Sequence, residues 1–115
     1  MESTAIIKWI TDFSTAYHAK AGRYPVIFTG PDWWNRCTHQ SRAFSATNPL
    51  WFVHWGTTIG PIPGWSTWTF WQYGNAITGG LDYFNGNLAA LEMSVSPSIP
   101  SQMILLSVLS NSFAL

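Results

Sequence analysis

Five carboxyl side chains, three histidines and one cysteine are the groups in this 115-residue chain that can do acid–base, nucleophilic or metal chemistry. The acids are Glu2, Asp12, Asp32, Asp82 and Glu92. Glu2 precedes an amphipathic segment, Asp12 falls on that segment's polar side, Asp32 sits where a helix cap belongs, and Glu92 falls at an exposed helix end. Asp82, read as lying in a loop after a third strand, is the one acid placed like an active-site carboxyl. Hydrolysis of a glycosidic bond generally uses two carboxyls across the scissile bond, so a single candidate does not make a pair.

Other chemistries find less support. Cys37-Thr38-His39 offers two ligand types, but His18 and His54 fall on separate elements and no second cysteine exists. A closed zinc site needs four ligands with short paired spacings, so no metal site is expected. Cys37 has no activating partner near it in sequence, and no Gly-x-Ser-x-Gly elbow is present. Gly79-Gly80 is an isolated pair rather than a phosphate-cradling glycine loop, and no cofactor is expected. An odd cysteine leaves three readings: a free thiol, an intermolecular bond, or a partner outside these residues.

Composition narrows the class further. Charged residues are 9% of the chain, and five basic side chains balance five acidic ones. A nucleic-acid binder needs a basic field, and none is present. Apolar residues reach 47%, which supports a folded core rather than disorder. The excess is aromatic, with eight Trp, seven Phe and four Tyr. Each buried indole N–H wants a partner. So dense a set of tryptophans therefore reads either as a tryptophan-rich core or as flat platforms for a ligand such as a sugar. No apolar run approaches the roughly 20 residues of a membrane span. Met1-Glu2-Ser3-Thr4 is polar, and no secretory leader is expected within these residues.

The elements that must position these groups alternate. Ile6, Trp9, Ile10, Phe13 and Tyr17 recur at helical spacing, with Ser3 or Thr4 as the cap and Lys8, Thr11, Asp12, Thr15 and His18 on the wet side. Gly22 suits a left-handed C-cap, and Pro25 stops the helix. Val26 to Thr29 is a short apolar run between breakers, the pattern of a strand buried on both faces of a parallel sheet. Asp32 is expected to cap a short helix carrying Trp33 and Trp34. Further strands are expected over Leu50 to Trp55 and Thr67 to Tyr73, with a turn at Thr78-Gly79-Gly80. Asn85-Gly86-Asn87 then opens a last helix through Leu88, Leu91 and Met93. The order is α/β. Residues 1–93 read as one domain part. Residues 94–115 are a Ser/Pro-rich spacer and an apolar tail from Met103 to Leu115, outlining either a lipid-anchor signal or a non-native C-terminus.

Six segments taken in order resemble a known family. They are Ile7-Lys8-Trp9-Ile10-Thr11-Asp12-Phe13, Gly22-Arg23-Tyr24-Pro25-Val26-Ile27-Phe28-Thr29, Asp32-Trp33-Trp34 with Cys37-Thr38, Asn48-Pro49-Leu50-Trp51, Thr69-Phe70-Trp71-Gln72-Tyr73 and Phe84-Asn85-Gly86. Together, from about Thr4 to Leu91, they resemble glycoside hydrolase family 25, the Chalaropsis-type lysozymes, and especially the fungal branch. The resemblance implies a modified β/α (TIM-like) barrel whose last strands are partly antiparallel. It implies a muramidase cutting between N-acetylmuramic acid and N-acetylglucosamine in peptidoglycan, outside the cell.

The family's Asp-x-Glu is absent here, and a barrel takes about 250 residues. The resemblance therefore implies an incomplete, C-terminal half barrel, inactive alone. It also implies that Cys37 pairs with a cysteine upstream of the first helix. Trp71 and Gln72 match the family's motif and are expected to touch substrate, with His54 and Trp51 behind them. Phe28, also expected to touch substrate, stands where the family commonly has Tyr, and Gly80 where many members carry an Asp. A non-catalytic glycan-binding module using tryptophan platforms is the alternative. With no upstream neighbour, the strand from Val26 leaves an apolar edge through which chains can self-associate.

Overall fold

In a computed structural model of the protein, residues 2–94 are described. The apolar tail and nearly all of the Ser/Pro-rich spacer read from the sequence lie outside the described residues. Three helices and four strands follow one another: α1 (Ser3–Ala21), β1 (Ile27–Thr29), α2 (Pro31–Thr38), β2 (Leu50–Val53), β3 (Phe70–Ala76), β4 (Gly79–Phe84) and α3 (Leu88–Ser94). The strands form one sheet in the order β1-β2-β3-β4. β1, β2 and β3 run parallel, and β4 returns antiparallel to β3.

Local chemistry sets most boundaries. Gly22 adopts φ 77° and returns its N–H to His18 O at 2.9 Å, closing α1 as its position predicts. The N-cap of α1 is Glu2, without a side-chain cap bond, rather than Ser3 or Thr4. Gly30 caps α2 and Pro31 opens it. Asp32 lies inside the first turn and pairs with Arg36 one turn on, so it is not the cap. Asn87 Oδ1 receives the Ala90 N–H at 2.9 Å and starts α3.

β4 was not expected. The Gly79-Gly80 pair reads as a turn, whereas the chain reverses at Ile77-Thr78 and both glycines enter the strand. A register shift between Gln72 and Gly74 breaks the alternation that would have revealed β4. Asp82 is consequently a strand residue, paired with Gln72, not a loop residue. β1 and β2 are shorter than their apolar runs, and β3 starts later, at Phe70.

The sheet has two unlike faces. Outward from Ile27, Leu50 and Phe52 lies the main core, with Trp34, Phe44 and Trp65, and with Ile7 and Ile10 of α1 packed against it. The opposite face carries Val26, Trp51 and Phe70, covered in part by Phe28, Phe84 and Leu91 of α3. α1 buries less than its spacing implies. Trp9 is 58% and Phe13 37% exposed, because that side of the helix looks along the free edge of β1 instead of onto the sheet. The two side chains border an apolar groove with Ile10, Val26, Phe28 and Trp33.

Buried Asn48 ties the helix layer to the sheet. Its Nδ2 donates to Ser14 Oγ of α1 at 3.1 Å and to Pro25 O at 3.0 Å. Its backbone O accepts the Trp65 indole N–H at 2.9 Å. Removing the side chain leaves buried acceptors without donors. Asn48→Ala is therefore expected to lower unfolding free energy by about 2–4 kcal/mol, and Ser14→Ala by about 1 kcal/mol. Urea denaturation checks both, and an unchanged midpoint for Asn48→Ala contradicts the role given to this residue.

Candidate functional site

Side chains alternate across a strand, so the register decides which candidates can meet. Phe28 pairs with Trp51, Trp51 with Phe70, Val53 with Gln72, and Gln72 with Asp82. These residues share the face opposite the main core, toward the C-terminal ends of the parallel strands. Trp71 pairs with Phe52 and Tyr83 and points the other way.

Asp82 is the centre of the shared face. Its Oδ1 accepts the Trp51 indole N–H at 2.6 Å. Oδ2 is buried with no hydrogen-bond partner. Burial raises the Asp82 carboxyl above its ordinary value, and the Trp51 hydrogen bond pulls it only partly back. Beside it, Gln72 is 3% exposed, and its Oε1 accepts the Trp55 indole N–H at 3.1 Å. Phe28 meets Trp51 edge-on at 5.6 Å between ring centroids. With Thr29, Gly30, Trp33 and Val53 it lines an open recess of about 320 Å³.

The sequence candidates therefore separate. Trp51, Gln72, Phe28 and Asp82 come together, whereas Trp71 and His54 do not join them. Trp71 is buried among Trp68, Tyr73 and Tyr83, and its N–H is used by His54 O at 2.8 Å. The His54 ring turns toward Thr58 O, with Nδ1 at 3.3 Å, and lines a different recess with Asn35, Gln40 and Pro61. Trp55 was not among the sequence candidates. The signal was its i, i+4 spacing from Trp51 along one extended run, which sets both indoles on one face.

The other acids lie elsewhere. Asp12 and Asp32 are in exposed ion pairs with Lys8 and Arg36, and Glu2 and Glu92 are exposed. Among the described residues no three His, Cys, Asp or Glu side chains form a metal-holding group, and Cys37 is half-buried in α2. No helix among them is long and apolar enough to cross a membrane. One acid, a buried amide and two indoles can bind and orient a neutral polar ligand, but they do not supply an acid and a nucleophile across one bond.

The family described as glycosyl hydrolases family 25 matches residues 1–80. An N,O-diacetylmuramidase of Arthroderma benhamiae is 43% identical over 97 residues, spanning 80% of this chain and 40% of the relative. The structure of a muramidase from Trichobolus zukalii is 37% identical with a TM-score of 0.76, over 89% of this chain and 48% of that one. A family GH25 lysozyme structure from Aspergillus fumigatus gives 36% identity and a TM-score of 0.79, over 84% and 48%. The chain thus spans less than half the length of these relatives.

A raised carboxyl pKa means that the folded state favours neutral Asp82. The stability this gives is fully present below the ordinary value of 3.8 and is lost as pH rises through the raised native value. Asp82→Asn removes that ionisation. The melting temperature of the natural chain, measured against Asp82→Asn, should therefore fall as pH is taken from below 3.8 toward neutrality. A melting temperature of the natural chain that, relative to Asp82→Asn, stays constant or rises with pH contradicts the assignment.

Proposed function

The chain belongs to glycosyl hydrolase family 25, and on that premise we propose that it works on peptidoglycan as the C-terminal part of a muramidase fold. The bond concerned is the β-1,4 linkage between N-acetylmuramic acid and N-acetylglucosamine, so the place of action is the bacterial wall, outside the cell. The observation that carries this reading is the shared face: Asp82, Gln72, Trp51 and Phe28 line the side of the sheet that α1 and α2 leave uncovered. The fold reading is a half of a modified β/α barrel. Three parallel strands with helices on one face, an unpartnered β1 edge among the described residues, and a span of about half the related structures support it.

On this reading the face holds sugar and does not by itself cleave it. Hydrolysis generally needs a proton donor for the leaving oxygen and a second carboxyl across the bond. Asp82 is the single acid on this face, and the Trp51 indole already occupies one of its oxygens. Its nearer task is to hold the Trp51 ring against Phe28. A second reading, a non-catalytic glycan-binding module, is favoured by one observation: Trp55 is exposed although its N–H is bound.

Purified chain is expected to leave suspended bacterial cell walls turbid. It should nonetheless sediment with insoluble peptidoglycan. Removing catalytic carboxyls normally costs orders of magnitude in rate, so no slow clearing above buffer is expected. Clearing that Asp82→Asn abolishes would overturn the view that this part of the fold lacks its acid pair. Failure to sediment with peptidoglycan would remove the sugar-holding role.

A further inference from the structure

We infer that Trp55 is a stacking platform for an N-acetylhexosamine ring and that Gln72 is the residue that positions it. The inference rests on the glycan reading above and names the residue through which it acts.

The tryptophans of this chain divide by what their N–H groups do. Trp34, Trp65 and Trp71 are buried, and each donates to a backbone oxygen, of Ser41, Asn48 and His54 respectively. Those are core indoles with satisfied donors. Trp9 and Trp33 are exposed, and their N–H groups make no hydrogen bond among the described residues. Trp55 combines both conditions: it is 59% exposed, yet its N–H is tied at 3.1 Å to the side chain of a residue that is 3% exposed. Water would satisfy an exposed indole N–H without help, whereas the buried Gln72 Oε1 is given its donor by this bond. The same bond fixes the ring's orientation while leaving the ring uncovered.

The support behind the ring is rigid. His54 N donates to Gln72 O at 3.1 Å and Gly56 N to Tyr73 O at 3.0 Å, which holds the backbone on both sides of Trp55 against β3. Gln72 itself occupies the space above Gly80, where any Cβ would run into its amide. Glycine at 80 thus gives the Gln72 side chain room to reach Trp55. A ring held in its binding orientation before the ligand arrives reduces the ordering cost of association.

The chemistry of the face selects the ligand. An uncovered indole offers a flat apolar surface, which suits the C–H face of a pyranose. No Lys or Arg stands among Phe28, Trp51, Val53, Trp55, Gln72 and Asp82, so an anionic ligand finds no counter-charge here. A neutral N-acetylhexosamine, which the glycan reading supplies, suits an uncovered indole with no counter-charge beside it.

The test follows indole N–H resonances of the full chain by NMR during titration with the trimer of N-acetylglucosamine. The Trp55 resonance, identified by its loss in Trp55→Ala, should move saturably. Trp55→Ala should weaken binding about tenfold or more, equivalent to about 1.4 kcal/mol, while Trp55→Phe retains most of it. Gln72→Ala and Gly80→Ala should weaken binding while leaving the Trp55 ring present, and Trp9→Ala, equally exposed but remote, should bind like the natural chain. Equal affinity of Trp55→Ala and the natural chain overturns the inference. If the natural chain binds neither the trimer nor insoluble peptidoglycan, the glycan reading itself fails. If it sediments with peptidoglycan and Trp55→Ala does so equally, only the role of Trp55 fails.

Discussion

A parallel strand satisfies its backbone only between two neighbours and its side chains only between two layers. Among the described residues β1 has one neighbour, β2, and its sheet has one complete layer, the one built from α1, α2 and the main core. Everything else in the molecule follows from that asymmetry. The covered face carries a close set of aromatic and branched residues, pinned by Asn48 to α1 and to the start of β1. The other face holds a smaller cluster at its base, under α3, and becomes polar toward the C-terminal ends of the strands. That is where an open α/β sheet places a ligand. The groups found there are one acid, one amide and two indoles.

The aromatic excess accordingly serves two ends. Trp34, Trp65 and Trp71 are structural: their rings are buried and their N–H groups reach backbone oxygens. Trp51 and Trp55 instead give their N–H groups to side chains, those of Asp82 and Gln72, which are paired across β3 and β4. The result is two separate hydrogen bonds on one face, one ending in the desolvated carboxyl and the other starting from an exposed ring. Buried polar groups of this kind carry specificity more than stability. The raised carboxyl of Asp82 reports the same desolvation.

Much of this was legible in the residues. The helical spacing of α1, its glycine C-cap and the two apolar runs of β1 and β2 are local signals, and each stands where its pattern placed it. β4 was hidden because its two leading glycines mimic a turn and a bulge at Tyr73 breaks its pairing rhythm. That error moved Asp82 off the strand where it faces Gln72. The exposure of Trp9 and Phe13 was not legible either, since spacing shows that a helix has an apolar side but not whether anything lies against it. For the site, the family pattern pointed to both Trp71 and Gln72, yet adjacent residues in a strand face opposite ways. Period-two alternation alone separates them, and the same alternation puts Trp55, not His54, with Trp51.

Among the described residues the sheet is open at β1. Ile27 gives its N–H to Pro49 O on the β2 side at 2.9 Å, so by alternation the Phe28 N–H points to the free edge. Amide hydrogen exchange over a range of protein concentrations tests this most directly. Ile27 should be protected throughout, while Phe28 exchanges rapidly in dilute solution and gains protection as concentration rises and edges of two copies pair. Protection of Phe28 equal to that of Ile27 in the most dilute sample would show that the edge is already closed and would contradict the account.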